Sequence, residues 1–304
     1  MADKRNLLLC LDAFGTLFSP KGSVAHQYAH VARQCGLTGF SDGELATHLM
    51  AAIREERTRN PNYGKATGLG ATQWWTNVIH KTFTPLIPEN QPFPPTLVPA
   101  LIHRFASARG YDAQPDLVPA LRALRRPKAL HAFDKVVIGV LTNSDDRVPS
   151  ILSSFGLNVS PLRYGADEHA SPRPRDDYDV DFHCMSYDVG FEKPDARIFA
   201  AADSMLDRIV TAREGGSARG QDWYRIYVGD EHAKDVLGAA NAGWHPILLD
   251  SDSQASDVPK LEDCPDQSIA DVFQLHPVVR VPSIRALALL LSGSGWASKK
   301  ASWH

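Results

Sequence analysis

Short apolar runs separated by longer amphipathic segments form the main hydrophobic pattern along this 304-residue chain. The runs are rich in aliphatic and β-branched residues, and most end in a polar or glycine-containing turn, which is typical of buried strands. We predict strands at Asn6–Leu11, Val136–Leu141, Cys184–Tyr187, Arg225–Gly229 and Pro246–Leu249. Helix-length segments such as "DARIFAAADSML" and "DVLGAANAGW" lie between them. The alternation predicts an α/β fold with a doubly wound, Rossmann-like parallel sheet covered by helices on both faces.

The interval between the first and second predicted strands is far longer than one crossover helix requires. It contains several helical patterns joined by Pro- and Gly-rich segments, among them "SVAHQYAHVARQCGL" and "TQWWTNVIHKTF". Ser41 or Asp42 is a candidate N-cap for one of these helices. We therefore predict an α/β core of residues 1–20 and 109–293, with an inserted helical cap subdomain of residues 21–108.

The remaining segments are predicted to be loops and a closing element. Residues 164–183 are charged and Pro-rich and residues 211–222 are Gly-rich, so both are expected to be loop insertions. The stretch "VVRVPSIRALALLL" predicts a last strand and a closing helix, and residues 294–304 are expected to form a flexible tail.

Composition and charge argue against several function classes. The formal net charge of -3 provides no concentrated basic face, which argues against a nucleic-acid partner. No apolar stretch approaches the roughly 20 residues that span a bilayer, and "MADKRNLLLCLD" is too short and too soon acidic for a secretory signal. The four cysteines are widely separated, as expected for reduced thiols. We expect an intracellular, cytoplasmic protein, with the nucleus and the oligomeric state left open, that binds neither nucleic acid nor membranes.

Polar side chains follow the predicted strands at the edge where parallel sheets bind ligands. Asp12 ends the first strand, Thr142 and Asn143 end the second, Asp230 ends the fourth, and Lys193 precedes the helix after the third. Carboxylates supply the hard oxygens that Mg²⁺ prefers, whereas a lysine, a hydroxyl and the backbone N–H groups of a turn can bind phosphate oxygens. The sequence therefore predicts a site for Mg²⁺ and a small anionic substrate.

Four segments, "DAFGTL", "LTN", "EKPD" and "VGDEHAKD", occur in this order with a helical insert after the first. They resemble the four motifs of the haloacid dehalogenase-like (HAD) hydrolase superfamily. The insert "NPNYGKATGLGATQWWTNVIHKTF" resembles the subfamily named haloacid dehalogenase-like hydrolase domain-containing protein 3. The resemblance covers most of the chain up to about Gly293, except for the two loop insertions.

The resemblance implies a catalytic group at the strand ends. Asp12 would be the nucleophile and form a covalent aspartyl intermediate, which divides one difficult displacement into two easier steps. Thr142 would bind the transferring group and Lys193 would neutralise it. Asn143 and Thr16 are further candidates for substrate binding.

The resemblance also implies a metal site and a closing cap. Mg²⁺ would be held by Asp12, the backbone carbonyl of Phe14, Asp230 and Asp235. The helical insert would close over the site and exclude water. Its candidate pocket residues are Asn62, Tyr63, Trp74 and Trp75. Among them, Tyr63 is expected to contact the substrate. Because adjacent helix residues cannot share a face, one of the two tryptophans is predicted to be core.

One position departs from the family pattern. Phosphatases of the family usually have a second Asp where this chain has Phe14, and that Asp protonates the leaving oxygen. Phe cannot transfer a proton, and general acid–base help is typically worth ~10²–10⁴ in rate. Asp145, Asp146 and Glu231 are candidate replacement acids, although surface charge or helix capping is the more frequent role for such residues.

Three functions follow from these features. The first is a Mg²⁺-dependent hydrolase of small phosphorylated substrates, slowed by Phe14. The second is a metal-independent 2-haloacid dehalogenase, because those enzymes carry an aromatic residue in a similar "DAYGTL" stretch and a departing halide needs no proton. The acidic "GDEHAKD" segment favours the first over the second. The third is a non-catalytic protein that retains the fold to bind a ligand or partner.

Overall fold

The computed structural model describes residues 5–125, 133–166, 177–218, 221–264 and 268–291. Two compact units divide the chain: an α/β unit within Met1–Phe18, Ala113–Asn143 and Phe155–His304, and a helical unit of Ser19–Asp112 with Ser144–Ser154. The predicted cap segment, residues 21–108, falls inside the helical unit. Its role as a cap stays a prediction. No helix in the described ranges combines the length and apolarity needed to cross a bilayer.

The α/β unit is built on a six-stranded parallel sheet. The strands within the described ranges are β1 Arg5–Leu11, β2 Phe18–Pro20, β3 Tyr111–Ala113, β4 Phe133–Thr142, β5 Phe182–Met185, β6 Trp223–Gly229, β7 His245–Leu249 and β8 Val279–Val281. The sheet has the order β5-β4-β1-β6-β7-β8, and β2 pairs separately with β3. This topology confirms the predicted doubly wound α/β fold, and β8 confirms the predicted last strand.

The central strand, β1, explains the unbroken apolar run of residues 7–11. β1 pairs with β4 on one side and β6 on the other, and its residues from Leu7 to Leu11 are at most 1% exposed. A strand that is covered on both faces has no solvent side on which polar residues would alternate. The apolar run therefore continues until the strand ends at Asp12.

One predicted strand, Cys184–Tyr187, is wrong in its bounds. β5 begins earlier, at Phe182, because Phe182 pairs with Gly139 of β4 and its ring lies where a side chain at position 139 would project. A Cβ added to Gly139 would lie only 2.3 Å from that ring. After Met185 the chain turns directly into a short helix, so Ser186 and Tyr187 are helical rather than extended.

Helices cover the sheet and form the second unit. They are α1 Val24–Gln34, α2 Asp42–Arg59, α3 Pro61–Gly64, α4 Ala71–Phe83, α5 Leu97–Arg104, α6 Leu117–Leu124, α7 Val148–Ser154, α8 Ser186–Val189, α9 Ala196–Glu214, α10 Leu237–Asn241, α11 Ile269–Leu275 and α12 Ile284–Leu291. A π-helical turn, His232–Val236, precedes α10, and 3₁₀ turns occupy Lys65–Thr67, Thr84–Leu86 and Leu261–Asp263. α12 confirms the predicted closing helix.

The predicted loop insertions are partly wrong. Thr211–Glu214 belong to α9, which ends at Gly215 in the left-handed conformation that lets a glycine terminate a helix. Phe182 and His183, at the end of the predicted first loop, belong to β5. Residues 167–176 of that loop, residues 219–220 of the second loop and the predicted tail lie outside the described residues.

Within the helical unit, local capping and a buried tryptophan fix the helices. Ser41 is the N-cap of α2: its hydroxyl accepts from the Glu44 N–H while the Glu44 carboxylate accepts from the Ser41 N–H. This capping box confirms one of the two predicted caps. Trp74 is buried, and its indole N–H donates to the Asn60 carbonyl at 3.0 Å. Trp74 is therefore the predicted core member of the Trp pair.

A buried histidine in β5 makes the stability of the α/β unit depend on pH. His183 Nε2 lies 3.1 Å from the Ser160 carbonyl, and because a carbonyl only accepts, Nε2 must carry the proton. Nδ1 is buried and has no hydrogen-bond partner among the residues that the structure describes. Burial, together with the nearby Arg163 charge, lowers the pKa of His183 to about 4. The imidazole is therefore neutral in the folded protein.

This histidine predicts a loss of stability in mild acid. An unfolded histidine takes up its proton near pH 6.5, whereas folded His183 does so only near pH 4, so stability present above pH 6.5 is lost as pH falls towards 4. The contribution between pH 7 and pH 5 is about 2 kcal/mol. Urea unfolding at both pH values should show this loss in the wild type and a smaller loss in His183→Gln. The exposed His103, changed to Gln, is the control; equal pH dependence in all three proteins would contradict the assignment.

Candidate active site

The sheet topology brings two predicted carboxylates together. β1 connects towards β4 on one side while β6, its other neighbour, connects towards β7 on the opposite side, so the loops after β1 and β6 diverge and leave a crevice. Asp12 follows β1 directly, and its N–H donates to the Val228 carbonyl of β6 at 2.9 Å. Asp230 follows β6 directly. Both side chains therefore lie at the carboxyl ends of neighbouring strands.

A cluster of three carboxylates occupies this edge. Asp12, Asp230 and Asp235 each offer an oxygen, and these oxygens lie within 4.8 Å of one another. Asp12 and Asp235 are buried, whereas Asp230 is more exposed. Asp235 reaches the cluster from the π-helical turn after β6, where its Oδ2 accepts from the Glu231 N–H at 2.9 Å.

Two glycines provide the space for these carboxylates. A Cβ on Gly15 would lie 2.2 Å from Asp230 Oδ2, and a Cβ on Gly229 would lie 2.2 Å from Asp235 Oδ2. Gly15 also has a φ of +82°, which L side chains rarely adopt. The glycines after the first strand and at the end of β6 are therefore required by the close approach of the two carboxylates.

One ammonium group neutralises part of this negative charge. Lys193 Nζ lies 2.9 Å from Asp12 Oδ1 and 2.7 Å from Asp235 Oδ1, and it donates to the Tyr227 hydroxyl at 2.7 Å. Burial alone would lower the pKa of Lys193, but the two carboxylates outweigh it and the pKa is raised. The lysine is therefore a permanent cation between Asp12 and Asp235.

The site retains an excess of negative charge that a divalent cation would satisfy. Burial raises the pKa values of Asp230 and Asp235, and the neighbouring carboxylates raise both further. The Thr16 hydrogen bond lowers the pKa of Asp230 and the Lys193 charge lowers that of Asp235, but neither outweighs the increase. Asp12 Oδ1 is buried and, although close to Lys193, accepts no aligned hydrogen bond from the described part of the chain. Three hard oxygen ligands and one unsatisfied oxygen fit a divalent cation such as Mg²⁺.

Two predicted substrate ligands have other partners in the structure. The Thr16 side chain is fully buried, and its hydroxyl donates to Asp230 Oδ1 at 3.0 Å. The Asn143 amide bonds the backbone of Lys193 in both directions: Oδ1 accepts from its N–H at 2.7 Å and Nδ2 donates to its carbonyl at 3.0 Å. These side chains therefore hold Asp230 and the Lys193 segment in place. Thr142 is the last residue of β4 and is buried.

Phe14 lies in the turn between Asp12 and Thr16. Its ring packs edge-on against Phe18, with the ring centroids 4.8 Å apart and the planes at 68°. An apolar contact of this kind has no proton to transfer. The expected role of its backbone carbonyl as a metal ligand stays a prediction.

Tyr63 belongs to the helical unit, and its backbone is unusual. Tyr63 and Asn62 both have left-handed φ values, +58° and +45°, which are uncommon for residues other than glycine. The Tyr63 ring packs edge-on against Trp74 at 5.2 Å. Contact of Tyr63 with a substrate stays a prediction.

Asp145 is unsuited to replace the acid that Phe14 lacks. Its carboxylate accepts from the Trp75 indole at 2.8 Å and forms a two-point ion pair with the Arg147 guanidinium. Burial alone would raise the pKa of Asp145, but Arg147 and the Trp75 hydrogen bond lower it below its usual value. Asp145 is therefore a carboxylate at neutral pH without a proton to donate. Glu231 forms an ion pair with Lys234 at 2.7 Å.

Sequence reasoning missed Tyr227. It is fully buried on β6, its hydroxyl donates to the Leu141 carbonyl at 2.8 Å, and it accepts from Lys193. Burial, and then the charges of Asp12 and Asp235, raise the pKa of Tyr227, so the phenol stays protonated. The sequence contained one signal for it. In "YVGD" the tyrosine lies two residues before Gly229, so both residues are on the same face of β6, next to the strand end that carries Asp230.

Comparison with known proteins identifies the relatives of this chain. A sequence model described as haloacid dehalogenase-like hydrolase matches residues 8–243. Haloacid dehalogenase-like hydrolase domain-containing protein 3 of Danio rerio is 28% identical over 238 residues, 78% of this chain and 82% of that protein. An uncharacterized hydrolase of Schizosaccharomyces pombe is 27% identical over 243 residues, 80% and 90% of the two chains. These matches confirm the resemblance carried by the four motifs.

The fold also matches a solved structure. The crystal structure of 2-haloacid dehalogenase from Pseudomonas syringae pv. Tomato DC3000 has a TM-score of 0.54 and 18% sequence identity to this chain. The match covers 94% of this chain and 98% of that one. At this level of identity the likeness concerns the fold alone.

The contacts around the two glycines predict that an added methyl group destabilises the protein more at position 15 than at position 22. Gly15→Ala must strain a left-handed backbone and displace Asp230, so we expect it to lower the free energy of unfolding by roughly 2–4 kcal/mol. Gly22 has a φ of +58° and open space around its Cβ position, so it is a matched control. Gly22→Ala should cost only the backbone strain, about 1–2 kcal/mol.

Urea unfolding measures both costs, and calorimetric titration with Mg²⁺ measures the affinity of each variant. We expect weaker Mg²⁺ binding in Gly15→Ala and unchanged binding in Gly22→Ala. Equal destabilisation and equal Mg²⁺ affinity in the two variants would contradict the steric assignment.

Proposed function

Because the chain belongs to the haloacid dehalogenase-like hydrolase family, we propose that it is a Mg²⁺-dependent hydrolase of small phosphorylated substrates with Asp12 as nucleophile. The observation that supports this most directly is the approach of Lys193 to both Asp12 and Asp235, beside a third carboxylate, Asp230. A metal-independent displacement has no need of three converging carboxylates, whose mutual repulsion is costly without a cation.

In the proposed reaction Asp12 attacks the phosphorus atom of the bound substrate. The bond from phosphorus to the leaving oxygen breaks, and the phosphoryl group is transferred to the Asp12 carboxylate. Water then attacks the phosphorus atom, and the bond from phosphorus to the Asp12 oxygen breaks. Inorganic phosphate leaves with the protons of the attacking water, and the Asp12 carboxylate is regenerated. Lys193 stabilises negative charge on the transferring group, and the Thr142 hydroxyl holds one of its oxygens.

The metal would be held by the residues of the carboxylate cluster. Asp12 and Asp230 are the proposed direct ligands together with the Phe14 carbonyl, and Asp235 supports them directly or through water. When bound, Mg²⁺ would supply positive charge to the phosphoryl oxygens. Thr16 orients Asp230 through its hydroxyl, and Asn143 orients the Lys193 segment.

The aromatic residue at position 14 defines the proposed substrate preference. Phe14 cannot protonate the leaving oxygen, and Asp145 is held as a carboxylate by Arg147. Alkyl phosphate esters need such a proton because an alkoxide is a poor leaving group. We therefore propose that acyl and aryl phosphates, whose leaving groups are stable as anions, are hydrolysed faster than alkyl esters.

Phe14 also favours a second candidate, 2-haloacid dehalogenase activity, because a departing halide needs no proton. This activity should persist in EDTA and release halide from 2-chloropropionate. Halide release that requires Asp12 but not Mg²⁺ would replace the proposed phosphatase function. The absence of halide release would exclude this candidate for that substrate.

The nucleophile assignment predicts the loss of activity in one isosteric variant. We expect slow hydrolysis of p-nitrophenyl phosphate with Mg²⁺, and a loss of about 10³-fold or more in Asp12→Asn, because an amide is a poor nucleophile. Phosphate release measured with and without EDTA tests both the residue and the cation. Arg285→Gln, on an exposed side chain that pairs with Asp116 in the α/β unit, is the control. Activity that survives in Asp12→Asn would rule out Asp12 as the nucleophile.

The missing acid predicts a gain of function. Phe14→Asp should raise kcat on alkyl phosphate esters by about 10²-fold, because it supplies the general acid, and should change aryl phosphate hydrolysis much less. Phe14→Leu removes the same contact with Phe18 without adding an acid, so it is the matched control. An equal response of alkyl and aryl substrates, or a gain in Phe14→Leu, would contradict the interpretation of position 14.

A further inference from the structure

We propose that Tyr227 is a positioning residue that fixes the ammonium group of Lys193 for catalysis. This inference rests on the proposed function, in which Lys193 stabilises the transferring group. It is carried by one fully buried hydroxyl that contacts three separate segments of the chain: it lies 2.7 Å from Lys193 Nζ, 2.8 Å from the Leu141 carbonyl and 3.4 Å from Asp235 Oδ1.

The number of hydrogens on the hydroxyl determines the direction of these bonds. A phenol has one proton, and two acceptors, the Leu141 carbonyl and Asp235 Oδ1, are within reach. The carbonyl is closer by a clear margin, 2.8 Å against 3.4 Å, so the proton is donated to Leu141. The lone pairs of the oxygen then face Lys193, and the hydroxyl accepts from the ammonium at 2.7 Å.

This acceptor defines where the ammonium lies. The ammonium has three hydrogens, and its three near oxygens are the Tyr227 hydroxyl, Asp235 Oδ1 and Asp12 Oδ1. The first two are aligned hydrogen bonds, whereas the contact with the Asp12 oxygen is an ion pair without hydrogen-bond alignment. Tyr227 and Asp235 therefore anchor the ammonium, whose third side faces Asp12, the residue that receives the phosphoryl group in the proposed reaction.

The position of Tyr227 is itself rigid. Its ring packs edge-on against Phe199 at 5.3 Å, and its strand, β6, pairs with β1 on one side and β7 on the other. Leu141, which receives its proton, immediately precedes Thr142 on β4. The hydroxyl therefore fixes Lys193 relative to the strand end that carries Thr142, the other proposed phosphoryl ligand.

Loss of the hydroxyl should affect the transition state more than the ground state. Without Tyr227 Oη, the ammonium keeps only its carboxylate partners and is no longer held in one position relative to the phosphoryl oxygens. An interaction that is optimised for the transition state affects kcat and leaves KM nearly unchanged. We expect kcat of Tyr227→Phe on aryl phosphates to fall about tenfold or more, with KM within about twofold of the wild type.

Tyr224 offers a matched control on the same strand. It is also buried in β6, and its ring stacks on His245. Because it lies three residues before Tyr227 along the strand, it faces the opposite side of the sheet. Tyr224→Phe should leave kcat within about twofold of the wild type. Circular dichroism and urea unfolding confirm that each variant is folded at the assay temperature. A folded Tyr227→Phe with unchanged kcat, or the same loss of kcat in both variants, overturns the proposal.

A second measurement does not depend on activity. In protein labelled with ¹⁵N-lysine, the Nζ hydrogens of Lys193 should give an NMR signal, with nuclear Overhauser contacts to the Tyr227 ring. In Tyr227→Phe their exchange with water should accelerate about tenfold, because an anchoring acceptor is lost. Tyr224→Phe should leave the exchange unchanged.

The two measurements separate failure of this inference from failure of the proposed function. A wild type with no turnover on any phosphate substrate would reject the proposed function, and the exchange experiment would still decide whether Tyr227 fixes Lys193. The absence of Overhauser contacts in the wild type, or unchanged exchange in Tyr227→Phe, overturns the proposal even if Tyr227→Phe does not fold well enough for kinetics.

Discussion

The ion pairs of Lys193 with Asp12 and Asp235 are the constraint on which the α/β unit depends. A buried carboxylate or ammonium is costly unless it is paired and hydrogen-bonded, and here one ammonium lies 2.9 Å and 2.7 Å from oxygens of two buried carboxylates. Removing one partner of such a pair typically costs about 3–5 kcal/mol, because the other charge is left buried and uncompensated. The two carboxylates and the ammonium therefore stabilise the folded protein only when all three are present.

The backbone around this arrangement is shaped to bring the charges together. Asp12 and Asp230 come from strands that are neighbours in space and distant in sequence, and the reversal of connection between β1 and β6 leaves the space between their loops. Gly15 and Gly229 allow the carboxylates of Asp230 and Asp235 to lie where a methyl group would otherwise be. Because these approaches are too close for any side chain, the glycines belong to the site as much as the acids do.

The site has no acid at position 14, and one candidate replacement is held in its charged form. Phe14 provides an apolar contact with Phe18 and cannot protonate a leaving group. Asp145, the nearest candidate in sequence after Thr142, is tied to Arg147 and Trp75 and is held in its charged form. Under the proposed function, this combination favours reactions whose leaving group departs as a stable anion. The site therefore has a residue that can stabilise negative charge, Lys193, whereas Phe14 cannot protonate a leaving group.

The sequence by itself determined the fold class and most of the strand-end polar residues, because buried parallel strands are continuous apolar runs and ligand-binding side chains follow them directly. It also determined the capping of α2 by Ser41, which depends only on residues three apart. The tertiary structure alone decided the start of β5, which is set by Phe182 over Gly139, and the partners of Thr16 and Asn143. It alone identified Tyr227, whose contacts with Leu141 and Lys193 join residues 86 and 34 positions away. Local patterns specify elements and their ends, whereas the partner of a buried polar group is set by packing between distant segments.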